Sequence, residues 1–254
     1  MLLAFDIGNT NTVLGVYKEK ELICEIRLKT DTSRTNDEYN SIITTLLKER
    51  LGRSLSAHGC IISSVVPPMT PIISTLVSET FKVDPIVVGP GTKTGMQIKL
   101  SEPSTVGADR VVNAVAAKHK FGTPVLVVDF GTATSFDFIG AEGSYEGGVI
   151  APGLLVSLES LVRNTAKLPH IELTWPKSVI GKSTISAMQS GTVIGYVCMV
   201  DGLIDKIIEE VGEVKNIVAT GGTGRLISKH SKRIRHYERE LTLEGLRIIY
   251  DENN

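Results

Sequence analysis

The chain has 254 residues, with 27 Lys and Arg against 28 Asp and Glu and a formal net charge of -1; this balance gives no sign of a nucleic-acid or membrane surface. Only 5% of the residues are aromatic, whereas Val, Ile, Leu and Gly are plentiful, which suits strands covered on both faces by helices. Three scattered cysteines, Cys24, Cys60 and Cys198, argue against a disulfide framework and a cysteine metal site, and are expected as small buried hydrophobes in a reducing compartment. No apolar stretch is long enough to span a bilayer, and Asp6 interrupts the N-terminal apolar run. A signal peptide is therefore not expected, and a cytoplasmic location is.

The first strand runs through Leu2, Leu3, Ala4 and Phe5 to Asp6, and the tight turn Ile7-Gly8-Asn9-Thr10-Asn11 re-enters a second strand at Thr12 to Tyr17. A glycine in such a turn lets the backbone approach an anion, neighbouring N–H groups and Thr hydroxyls donate to phosphate oxygens, and the Asp is placed to hold a cation. An ordinary hairpin turn is the plainer alternative. A charged turn, Lys18 to Glu21, leads to a third strand at Leu22 to Leu28. The polar loop Thr30 to Asn36 is rich in capping residues and precedes a helix carrying Tyr39, Ile42, Ile43, Leu46 and Leu47 at spacings of three and four. A fourth strand, Gly59 to Val66, is stopped by Pro67-Pro68; its Ser63-Ser64-Val65-Val66 end either lines a cleft or is only a strand-to-helix turn. A helix from Thr70 to Phe81 and a short strand from Pro85 to Val88 follow. Gly89 to Gly95 lacks the Lys-Ser/Thr of a Walker loop and reads as a mobile loop near the site. Gly107-Ala108-Asp109-Arg110 then opens an apolar-periodic helix. There Asp109 is either the helix's N-terminal acid or a catalytic base, and Arg110 a solvated neighbour or a grip on a substrate anion.

The second half repeats the opening. Strands at Pro124 to Val128, Thr134 to Ile139 and Tyr145 to Ile150 bracket Asp129-Phe130-Gly131-Thr132-Ala133-Thr134, a second Asp-x-Gly turn, and this recurrence favours phosphate handling over chance. Gly147 to Gly153 ends at a helix N-terminus, a natural anion site. Lys182-Ser183-Thr184 caps a long helix, Ile185 to Val211, whose Gly191 and Gly195 leave a patch bare for another helix. The strand Asn216 to Thr220 leads into Gly221-Gly222-Thr223-Gly224. A nucleotide base or ribose can lie against backbone there, though a plain strand-to-helix turn is the alternative. The amphipathic helix Leu243 to Ile249 closes the sequence.

In their order and spacing, Asp6-Ile7-Gly8-Asn9-Thr10, Gly107-Ala108-Asp109-Arg110, the Asp129 turn, Gly147 to Gly153 and Ala219-Thr220-Gly221-Gly222 resemble the motifs of the type III pantothenate kinases. That family lies in the superfamily of acetate and sugar kinases, heat-shock chaperones and actin. The resemblance covers essentially the whole chain. It implies an α/β protein of two ribonuclease-H-like, actin-like ATPase domains, 1–118 and 119–254. Each would be a mixed five-stranded sheet flanked by helices, with the active site in the cleft between them. It implies phosphorylation of pantothenate by ATP, the first step of coenzyme A synthesis.

Residue by residue, the resemblance implies that Asp6, Ile7, Gly8, Asn9, Thr10, Asn11, Thr12 and Val13 bind ATP, with Asp6 near magnesium. Thr132 would also contact ATP, and Gly221 and Gly222 would lie on its adenosine side. Gly107, Ala108, Asp109 and Arg110 would bind pantothenate, with Asp109 as the proton acceptor. Asp129 would hold a monovalent cation, potassium or ammonium, and Thr184 would complete the pantothenate site at a homodimer interface. Leu100 stands where many members have Tyr and offers packing in place of a hydroxyl. Two other classes share these features: a non-catalytic ATP-binding regulator and a phosphohydrolase on the same fold.

Overall fold

The computed structural model describes residues 1–52 and 55–254. In chain order the elements are β1 (Leu2–Ile7), β2 (Asn11–Lys18), β3 (Glu21–Lys29), α1 (Asn36–Leu51), β4 (Gly59–Ser64), α2 (Met69–Phe81), β5 (Pro85–Val87) and α3 (Ala108–Phe121). They continue with β6 (Val125–Phe130), β7 (Ala133–Ile139), β8 (Tyr145–Pro152), α4 (Leu154–Arg163), α5 (Thr184–Gln189), α6 (Gly195–Val211), β9 (Asn216–Thr220), α7 (Gly224–Ser228), β10 (His236–Tyr237) and α8 (Leu241–Glu252).

The strands form two five-stranded sheets, ordered β3-β2-β1-β4-β5 and β10-β9-β6-β7-β8. In each, the first strand pairs antiparallel with the second, the second antiparallel with the third, and the first parallel with a strand that follows a helical connection. The outer partners, β5 on β4 and β10 on β9, are also parallel. The two sheets therefore have one topology written twice. The chain divides into two compact units: residues 1–119 with 240–254, and residues 120–239.

Strand alternation in the first unit makes a sheet buried on both sides. Leu3, Phe5 and Ile7 of β1 face α1 and α2, packing with Tyr39, Ile43, Ile73 and Leu76. Leu2 and Ala4 face the other way, with Val112 and Val115 of α3 and Leu243, Leu246, Ile248 and Ile249 of α8. The expected boundary at 118/119 therefore differs from the structure at the chain's end. Residues 240–254 belong with the first unit, because the apolar face of α8 completes the core of that sheet. The loop at 30–35 starts α1 as its composition suggests: Thr35 accepts the Glu38 N–H while the Glu38 carboxylate accepts the Thr35 N–H, a reciprocal cap.

In the second unit Leu126, Val128, Phe130 and Phe136 pack against Leu154 of α4, Val197, Val200 and Ile204 of α6, and Ile227 of α7. The long helix expected over 185–211 is continuous from Thr184 to Val211: α5 passes into α6 through a π-helical turn at Ser190–Ile194, and the residues at both junctions keep helical backbone angles. Cys24 and Cys60 are buried, but Cys198 is exposed, because it falls on the outer side of α6 while Val197 and Val200 take the inner one. No helix among the described residues is long and apolar enough to cross a membrane.

Candidate active site

The first Asp-x-Gly turn is built at the end of β1. The Gly8 N–H donates to the Asn11 carbonyl at 2.9 Å, closing the turn. Asn9 and Thr10 are exposed at its tip, Asp6 and Gly8 are half-buried, and Ile7, Thr12 and Val13 are buried. Ile7 and Val13 therefore shape the segment from within the core, and the solvent-facing residues of the turn are Asn9 and Thr10 at its tip.

Asp6 sits in register with Ser63 on the parallel neighbour β4. By alternation both lie on the face that Leu2, Ala4 and Ile61 share with α3. The Ser63 hydroxyl is fully buried and finds no hydrogen-bond partner among the described residues. Just beyond, the Val65 N–H donates to the Ile7 carbonyl at 3.0 Å, which ties the end of β4 to the Asp6 turn.

The Gly107-Ala108-Asp109-Arg110 motif enters at this same edge. A methyl group placed on Gly107 would stand 3.5 Å from a Val65 methyl and only 2.5 Å from the Asp109 Oδ1. Glycine at 107 is thus the notch that admits the Asp109 carboxylate. Asp109 lies in the first turn of α3, where its Oδ1 accepts the Arg110 N–H at 2.8 Å. The helix-start reading is therefore met by the backbone, and it leaves the carboxylate at the edge where β1 and β4 end. The structure thus brings Asp6, Gly8 and the Gly107–Arg110 motif together within one unit. Leu100 lies half-buried in the irregular stretch before α3. The Gly89–Gly95 loop is tied down: the Lys93 N–H donates to the Asn253 side chain, which donates back to the Lys93 carbonyl, and Lys118 donates to the Gly95 carbonyl.

The second unit repeats the device. Asp129 stands between Ser135 on β7 and Thr220 on β9, each in register with it. Gly221 has a φ of +87°, and a methyl group there would come 2.5 Å from the Asp129 Oδ1. As at Gly107, the absent side chain makes room for a carboxylate. The Gly131 N–H donates to the Ala133 carbonyl and the Gly153 N–H to the Thr132 carbonyl, so the Gly131–Ala133 turn and the start of α4 are locked together. The Thr132 side chain is exposed. No group of three or more His, Cys, Asp or Glu able to hold a metal occurs among the described residues. Asp129 is flanked in register by Ser135 and Thr220, and the Ser135 hydroxyl donates to the buried Asp137 carboxylate; oxygen groups of this kind suit a hard cation better than a soft transition metal. Thr184 opens α5 behind the reciprocal Ser183–Ser186 cap and is exposed.

The family model described as type III pantothenate kinase matches residues 2–206. A type III pantothenate kinase of an Exiguobacterium species (strain ATCC BAA-1283 / AT1b) is 48% identical over 253 residues, covering 100% of this chain and 99% of that protein. The chain belongs to the type III pantothenate kinase family. Solved structures place this kinase within a wider fold. The inorganic polyphosphate/ATP-glucomannokinase of Arthrobacter sp. strain KM matches over 100% of this chain and 99% of that one, with a TM-score of 0.50 and 14% identity. The (R)-2-hydroxyglutaryl-CoA dehydratase component A of Acidaminococcus fermentans matches over 98% and 96%, with a TM-score of 0.52 and 12% identity. At such identities the likeness is one of fold, the actin-like ATPase fold. Sequence reasoning singled out the residues that carry charge or glycine at the turns. It missed Thr30, which holds the first turn from just beyond β3, because no local pattern ties residue 30 to residues 8, 10 and 12.

Proposed function

We propose that this member of the pantothenate kinase family transfers the γ-phosphoryl group of ATP to the hydroxyl of pantothenate, giving 4'-phosphopantothenate for coenzyme A synthesis. The observation that carries the reading is the 48% identity over the whole chain to a type III pantothenate kinase, and the glycine notches beside the Asp109 and Asp129 carboxylates support it.

Phosphoryl transfer asks a protein for positioning and charge neutralisation more than for covalent chemistry. In this proposal the exposed tip of the Asp6–Val13 turn donates backbone N–H and hydroxyl groups to ATP phosphates. The Asp6 carboxylate faces the magnesium that ATP brings, and Thr132, Gly221 and Gly222 contact the nucleotide. Asp129, with neighbouring oxygens, holds potassium or ammonium; such an ion supplies positive charge beside phosphate oxygens. Gly107, Ala108, Arg110 and Leu100 contact pantothenate, and Asp109 accepts its hydroxyl proton as the bond to phosphorus forms. Thr184 completes the pantothenate site in a homodimer. In support of that last role, Val179, Ile180 and Ile185 are all exposed on the stretch around it, more apolar surface than a solvated stretch needs.

The test is ADP release from ATP and magnesium with and without pantothenate, in potassium and then in sodium buffer. Pantothenate-dependent ADP that falls away in sodium is expected. ADP that ignores pantothenate would make the protein a hydrolase, and bound ATP without ADP would make it a regulator. In the same assay Asp109→Asn is expected to lower turnover by roughly a hundredfold or more, the usual scale for loss of a general base, with ATP binding kept. Near-normal turnover would return Asp109 to its role in the helix start.

A further inference from the structure

Thr30, the first residue beyond β3, holds the Asp6 turn through three hydrogen bonds. Its N–H donates to the Thr10 carbonyl at 3.0 Å. Its hydroxyl donates to the Gly8 carbonyl at 2.7 Å. That hydroxyl also lies 3.0 Å from the Thr12 hydroxyl. A hydroxyl has one proton to give, so with the Thr30 proton on Gly8 the Thr12 hydroxyl donates to Thr30. The result is a directed chain from Thr12 to Thr30 to the Gly8 carbonyl, and the Thr12 end is 1% exposed.

Peptide planarity turns this chain into an orientation at the tip. The carbonyl of Gly8 and the N–H of Asn9 belong to one trans peptide and point in opposite directions. Pinning the Gly8 carbonyl on Thr30 therefore aims the Asn9 N–H away from β3, at the exposed tip. A donor fixed in advance toward an anion costs no reorganisation when the anion arrives. Thr12, placed by motif among the ATP contacts, spends its hydroxyl on this support.

We infer that Thr30 is a positioning residue for phosphate binding, holding the Asn9 N–H in its donating orientation through the Gly8 carbonyl. The inference rests on the reading of the Asp6 turn as an ATP phosphate site. It adds a residue outside every motif and gives it a ligand-specific effect, on ATP and not on pantothenate.

Thr30→Val keeps the β-branched shape and deletes the hydroxyl; Thr30→Ser keeps the hydroxyl. Affinity for a non-hydrolysable ATP analogue with magnesium is measured by calorimetry, and KM for ATP and for pantothenate by ADP release. T30V is expected to weaken nucleotide binding and raise the ATP KM about five- to tenfold, the effect of one lost supporting hydrogen bond. The pantothenate KM stays within about twofold, since a uniform structural defect would move both. T30S restores the nucleotide affinity. Should T30V not fold, as judged by its thermal midpoint, Thr30→Ala is read in its place. Gly8→Ala is run beside them to separate the two layers of the argument. If G8A abolishes nucleotide binding and the Thr30 variants leave it unchanged, Thr30 is not a positioning residue although the turn is a phosphate site. If G8A also binds normally, the phosphate reading of the turn fails and the Thr30 inference falls with it. Equal losses for ATP and pantothenate would overturn the inference in favour of a general structural role.

Discussion

Gly107 and Asp109 form one geometric device, since the carboxylate occupies space that any side chain at 107 would take. The neighbour displaced by an added methyl is the carboxylate end of Asp109, the closest group at 2.5 Å, so Gly107→Ala acts on the position of the acid more than on the fold. Turnover in G107A is expected to fall on the order of ten- to a hundredfold, the scale of a displaced reacting group, with a thermal midpoint close to that of the parent. A midpoint that collapses along with turnover would mean that the glycine serves helix packing. Ser63, beside Asp6, gives a prediction of the opposite kind. Its buried hydroxyl has no partner among the described residues, and removing an unpaired buried polar group is neutral or stabilising. Ser63→Ala is expected to leave denaturant stability unchanged or raise it by about 1 kcal/mol; a loss of that size would reveal a partner for the hydroxyl. The contrast marks what sequence carries at this scale. Asp6, Gly8, Asp109 and Asp129 are legible because turn chemistry is local. The pairing of Asp6 with Ser63 and the hold of Thr30 on Gly8 are not, because register between strands distant in sequence sets both.

Among the elements, the three-stranded antiparallel meander at the head of each half is readable from alternation and charged turns, and so is the parallel strand that follows. The π-helical turn at Ser190–Ile194 is not, because the apolar stripe of Val193, Val197, Val200 and Ile204 runs through it at helical spacing. The two-residue β10 is too short to leave a pattern, although the repeat of the first sheet's topology calls for a strand in its place. Around α5 the chain exposes Val179 at 68%, Ile180 at 82% and Ile185 at 51%, beside the Thr184 proposed to act at a dimer interface. If a second copy covers them, the parent protein is a dimer by light scattering. Ile180→Asp then shifts it toward monomer and raises the pantothenate KM with nucleotide affinity kept. A parent that is monomeric at assay concentration would remove the dimer and Thr184's role with it.

On the scale of the whole molecule, a division of the chain into halves misplaces the last helix, and the reason is a matter of cover. The first sheet is complete by residue 87, and α3 with α8 covers the face that carries Asp6. Leu246 and Ile249 are fully buried on that face and Leu243 is 4% exposed. The Thr242 hydroxyl donates to the Asn113 side chain of α3 at 2.7 Å, and Arg247, 5% exposed, is held by Glu244 and Asp251. Amphipathic periodicity marks α8 as a helix but says nothing of which sheet it will cover, since that contact spans most of the chain. Burial of a large aliphatic side chain is worth about 1.5–3 kcal/mol, so three such residues amount to a large share of the ~5–15 kcal/mol that holds a typical domain folded. A chain ending at Arg239 is therefore expected to lose the cooperative unfolding of the first unit in calorimetry, and with it the platform that presents Asp6 and Asp109. Nucleotide binding would be lost although no residue proposed to contact the nucleotide had been removed. A truncated chain with an unchanged transition and intact ATP binding would show that α3 alone covers the sheet and that α8 is dispensable to it.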